Sequence, residues 1–180
     1  IIPSMALGQE KPDPEVMRAP PRDRGQGLLT LPMIAHSYLF LGLIETAVSL
    51  GLFFWVLFDG GWQWGAPLAT DAALYHSATG IALASILLMQ IGNLFGRRSA
   101  TGLGIDRVAF RNPLLIFGIV FEAVASWAIL YVPAVGTVLG TGPVAAEVYA
   151  VACASPLLIF GLDYARKRVA ARMRLRPGDG

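Results

Sequence analysis

The chain has 180 residues, 55% of them apolar and only 14% charged, where soluble globular domains carry about 25% charged residues; that balance argues against a water-soluble enzyme domain and makes lipid the main solvent. A net charge of +2 would suit a nucleic-acid partner only on the basic face of a soluble domain, and the basic residues are arranged otherwise, so no nucleic-acid partner is expected. A single cysteine, Cys153, excludes an intramolecular disulfide and lies in an apolar run, where packing is its expected role.

Residues 1–32 interleave Pro12, Pro14, Pro20, Pro21 and Pro32 with charges. Each proline fixes φ and removes a backbone donor, so the stretch reads as an extended, cytoplasmic, proline-rich loop and not as a helix. Its opening, Ile1 to Gly8, is apolar but short, lacks a basic n-region and does not begin with Met. No signal peptide is expected, and the chain reads as a piece of something longer.

Four apolar stretches come next, at about Met33 to Phe58, Leu74 to Phe95, Pro113 to Val132 and Val144 to Leu162. A hydrocarbon core of about 30 Å takes roughly 20 helical residues to cross. The runs are too long and too uniformly apolar for barrel strands, so helices satisfy the backbone in lipid. The predicted fold is therefore all-α: an integral membrane four-helix bundle over residues 33–162, followed by a basic tail, 163–180. Pro113 suits the first turn of the third span, and Pro156 predicts a kink in the fourth.

Sidedness follows from the basic residues. Lys11, Arg18, Arg22 and Arg24 precede the first span. Arg97, Arg98, Arg107 and Arg111 lie in or beside the second connection, and Arg166, Lys167, Arg168, Arg172, Arg174 and Arg176 follow the last span. These are all fourteen; the connections Asp59 to Ala73 and Pro133 to Pro143 hold none. Basic loops stay in the cytoplasm, so both termini and the Gly96 to Asn112 loop are expected there. Trp55, Trp62, Trp64, Tyr75 and Tyr131 sit where interfacial aromatics belong on the other side.

Two carboxyl groups fall near mid-bilayer: Glu45 in the first span and Glu122 in the third. An ionised carboxylate there costs at least about 3 kcal/mol, so such residues face the bundle interior and mark ion or proton paths; the plainer role is a protonated acid that pairs helices. Gln90 and Asn93, three apart, share a helical face. Their amide oxygens are hard ligands suited to alkali or alkaline-earth cations. Equally, the amides can hydrogen-bond between helices where Gly92 and Gly96 allow close approach. His36 and His76 stand a bilayer apart and cannot share a metal, so interfacial packing is expected of both. Asp163 is spaced to pair with Arg166 or Lys167. Gly102-Leu103-Gly104 lacks the third glycine and preceding strand of a dinucleotide loop. No nucleophile motif is present.

The ordered set of segments resembles the end of the sixth helix through the tenth helix of type II cation-transporting P-type ATPases. Pro3-Ser4-Met5-Ala6-Leu7-Gly8, Glu10-Lys11-Pro12-Asp13-Pro14-Glu15-Val16-Met17 and Pro20-Pro21-Arg22 resemble the end of the sixth helix and the loop after it. Leu39-Phe40-Leu41-Gly42-Leu43-Ile44-Glu45 resembles the seventh helix, and Gln90-Ile91-Gly92-Asn93-Leu94-Phe95 with Arg97-Arg98-Ser99 the eighth. Asn112-Pro113-Leu114-Leu115 and Tyr131-Val132-Pro133 resemble the ends of the ninth, and Leu157-Leu158-Ile159-Phe160 through Asp163 to Arg166-Lys167 the tenth.

The resemblance implies a C-terminal membrane support domain of a cation pump in a bacterial inner membrane, not active alone. Gln90, Asn93 and Glu122 would be its cation ligands, with Glu45 a further intramembrane carboxylate. The segment itself would bind no cofactor; the parent would use ATP and Mg2+ in domains upstream of this segment. Partners implied are the lipid bilayer, a monovalent or divalent cation, the remaining transport helices and the phosphorylation domain. The alternatives are a free-standing interaction or regulatory protein with four spans, and a small ion channel or transporter.

Overall fold

The computed structural model describes residues 2–9, 31–98, 104–105 and 109–174. Most of the expected proline-rich loop, much of the second connection with Gly102 and Leu103, and the last six residues of the tail lie outside the described residues. Among those described there are helices and no strand. Four helices are long and apolar enough to cross a membrane: Ala35–Asp59, Ala73–Arg98, Pro113–Tyr131 and Ala146–Arg172.

The start of the chain departs from the extended reading. Ile2–Gly8 forms a short helix, α1. The prolines that oppose helix begin only at Pro12, and Pro3 falls in a first turn where a missing N–H costs nothing. Ala6 is fully buried with Leu94 and Leu115, and the Asn112 side chain donates to the Ala6 carbonyl at 3.2 Å.

The first span runs continuously from α2, Leu31–Ile34, through a π-helical stretch, Ala35–Leu41, into α3, Gly42–Asp59. Here the Gly42 N–H bonds the Ser37 carbonyl five residues back. A widened turn of this kind rotates the N-terminal part of the span relative to its C-terminal part. Both His36 and Glu45 reach partners on neighbouring helices across this change of register.

Helix α4, Ala73–Arg98, is the centre. Half of its most apolar stretch is buried, against 22% for the first span, 33% for the third and 28% for the fourth. It runs antiparallel to α3, pairing Glu45 with Gln90 and Phe53 with Tyr75, and parallel to the last span, where Gly92 meets Pro156 and Gly96 meets Asp163. A Cβ on Gly92 would lie 2.4 Å from the Pro156 carbonyl oxygen, so only glycine permits this crossing, as the small-residue spacing predicts.

Helix α5, Pro113–Tyr131, starts at Asn112, whose side chain accepts from the Leu114 and Leu115 N–H groups while Pro113 occupies the first turn. It ends at Val132, held extended before Pro133. The connection between α5 and the last helix contains α6, Pro133–Leu139, closed by Gly140 at φ 67°, a left-handed cap that glycine adopts without penalty. The last helix, α7, Ala146–Arg174, continues well past the expected end at Leu162. Pro156 leaves the Ala152 carbonyl without its usual N–H, and the Ser155 hydroxyl donates to it instead at 2.7 Å. Cys153, of which packing is expected, is exposed on α7.

Candidate functional site

Three of the four polar residues singled out in the spans meet. Glu45 Oε1 accepts from Asn93 Nδ2 at 2.5 Å and from Gln90 Nε2 at 3.3 Å. The two amides come from one face of α4, as their spacing predicts, and the carboxylate from α3. Glu45 is half-buried and lines a cavity of about 240 Å³ with Thr46, Ser49, Leu50 and Ile86. Ser49 is tied back to α4 through the Ala82 carbonyl at 3.3 Å.

Glu122 lies apart. It is 5% exposed on α5, and its Oε2 has no hydrogen-bond partner among the described residues. No hydrogen bond among those residues joins it to the Glu45 trio. A buried polar atom without a partner is costly in lipid, and among the described residues Glu122 carries the one such side-chain atom. No group of three or more His, Cys, Asp or Glu side chains poised for a metal occurs among the described residues.

A second polar cluster sits at the end of the bundle that carries the basic residues. Asp163 Oδ1 bonds His36 Nε2 at 3.0 Å and Arg166 at 2.9 Å, and Oδ2 faces Lys167 Nζ at 2.8 Å. Lys167, only 7% exposed, also donates to the Gly96 carbonyl at 2.5 Å. Arg97 donates to Ser37 at 3.0 Å, and the Arg166 guanidinium lies 5.9 Å from the Phe40 ring centroid. The local pairs of Asp163 with Arg166 and Lys167 follow from spacing. The pair with His36, 127 positions away, had no signal in the sequence beyond two ionisable residues at span ends. The cluster joins the first span, α4 and α7 into one block. Its single carboxylate is saturated by cations, so its role is structural.

His76 is at the other end. Its backbone carbonyl accepts from Gly142 at 2.9 Å, and the residue lines a cavity of about 430 Å³ with Tyr131, Thr137 and Thr141. Trp62 and Trp64 cluster there with Phe54 and Phe58. The two histidines are thus separated as expected.

The family model described as cation transporting ATPase, C-terminus, matches residues 1–169. The probable cation-transporting ATPase F of Mycobacterium tuberculosis is 29% identical over 177 residues, covering 96% of this chain and 18% of its own length. The potassium-transporting ATPase alpha chain 2 of Homo sapiens is 26% identical over 204 aligned positions, 99% of this chain and 19% of its own. The alpha chain 1 of Xenopus laevis is 23% identical, at 99% and 20%. The chain spans about a fifth of the length of these curated relatives.

Proposed function

From the premise that this chain belongs to the C-terminal membrane region of cation-transporting P-type ATPases, we propose that it braces the transport helices of such a pump and lends peripheral cation ligands to it, Gln90 and Asn93 at one place and Glu122 at another. The carrying observation is Glu122: a carboxylate nineteen-twentieths buried with an oxygen left unpartnered is a group awaiting a cation or a donor from elsewhere in the pump.

The open side of α3 supports the bracing role. Thr46 and Leu50 are exposed, and Glu45 is half-buried beside them. A carboxylate and a hydroxyl are unfavourable against acyl chains, so this side belongs against other helices of the pump. Both termini and the basic connection are cytoplasmic on this reading, in a bacterial inner membrane. The loop before the first span abuts the phosphorylation domain, and ATP and Mg2+ act in the upstream domains. The family match does not favour a free-standing interaction protein or a small channel.

The test is a cation titration of ATP hydrolysis by the complete ATPase carrying this segment, with sodium, potassium and calcium taken in turn. Glu122→Gln should raise the half-saturating concentration of the activating cation by about tenfold, the scale of one lost charged contact. An unchanged half-saturation in Glu122→Gln and in Gln90→Ala would remove the cation site and leave bracing alone.

A further inference from the structure

Gln90 and Asn93 are ambivalent groups: each amide can present its NH2 or its carbonyl oxygen to a neighbour, and only the carbonyl oxygen can bind a cation. What fixes the choice is on the facing helix. Glu45 Oε1 takes both amide nitrogens, at 2.5 Å and 3.3 Å. A carboxylate oxygen accepts and does not donate when ionised, so it selects the NH2 end of each amide. The two carbonyl oxygens are thereby directed elsewhere, and neither accepts a hydrogen bond among the described residues.

We infer that Glu45 is a positioning residue: by holding both amide nitrogens of α4 it presents the carbonyl oxygens of Gln90 and Asn93 as a preset pair for a cation. The inference rests on the reading of those amides as cation ligands and adds the residue that orients them. Glu45 acts through the amides and needs no contact with the ion. The arrangement parallels metal sites in which the ligand's far side is held by a carboxylate, so that the donor atom is aimed before the ion arrives.

The experiment is the cation titration in the complete ATPase with Glu45→Leu, Glu45→Gln, Gln90→Ala/Asn93→Ala and the triple variant. Glu45→Leu frees both amides to turn, and should raise the half-saturating cation concentration by about tenfold, more than it lowers the maximal rate. Glu45→Gln keeps an acceptor carbonyl at the same place and should restore much of the affinity, which also covers the case in which the leucine variant fails to fold. In the Gln90→Ala/Asn93→Ala background, Glu45→Leu should add no further loss, because residues acting as one unit are not additive.

Loss of affinity in Gln90→Ala/Asn93→Ala with none in Glu45→Leu, or a further full loss in the triple variant, would overturn the positioning role alone. A Glu45→Gln variant as impaired as Glu45→Leu would also overturn it, and would mark the charge itself as the ligand. Unchanged affinity in Gln90→Ala/Asn93→Ala would overturn the ligand reading and this inference together.

Discussion

Asp163 is where a single atom change should be felt most. It holds His36, Arg166 and Lys167, and Lys167 is almost without solvent. Removing one partner of a buried pair leaves the others uncompensated, at about 3–5 kcal/mol. Asp163→Asn should therefore lower the thermal midpoint of the detergent-solubilised protein by several degrees. Arg172→Gln, at an exposed position on the same helix, should change it little. Part of this cluster was legible in the sequence: i, i+3 and i, i+4 spacing gives Arg166 and Lys167 without a structure. His36 was not, because helical spacing says nothing about which helices pack. For the same reason the sequence offers Gln90 and Asn93 as one face but leaves open that Glu45 completes it and Glu122 does not.

At the level of the helices, the crossing of α4 and α7 depends on Gly92. Its missing side chain lets the Pro156 carbonyl approach to a distance that any Cβ would forbid, and the atom in the way is backbone. Gly92→Val should push the two helices apart and lower the thermal midpoint, by a mechanism of overpacking that costs about 1–3 kcal/mol or more. Gly51→Ala, on α3 with nothing within 4 Å of the added carbon, should be neutral or stabilising by about 0.5–1 kcal/mol, since alanine favours helix. The Gly92 and Gly96 spacing announced this contact from sequence. The helical start of the chain was obscured in the composition, because prolines from Pro12 onward dominate the first 32 residues while Ile2–Gly8 precedes them; only the resemblance of Pro3 to Gly8 to the end of a helix pointed to it. The extension of α7 was obscured by its charges: Asp163 and Lys167 read as the beginning of a solvated tail, yet they neutralise each other inside the bundle.

Across the whole molecule the four spans, their near-uniform apolarity and the clustering of basic residues at one end were readable because lipid imposes length and composition directly. Coverage was not readable. The bundle is built around α4, while the first span is the least covered of the four and carries Glu45 and Thr46 beside its open side. That asymmetry is what the proposed bracing role requires: one helix half-buried by its neighbours, and another with a side free for further helices of the pump.

The most direct test is the oxygen accessibility of a nitroxide attached at Leu50, on the open side of α3, in the complete ATPase with Cys153→Ala and no other reactive cysteine. A nitroxide at Leu157, 73% exposed on α7, is compared with it, and a label at Tyr38, 74% exposed near the start of the first span, gives a second reference. If transport helices cover the open side of α3, the label at Leu50 collides with oxygen far less often than the label at Leu157. Equal accessibility at the two positions would mean that α3 faces lipid and that this segment does not brace the pump through it.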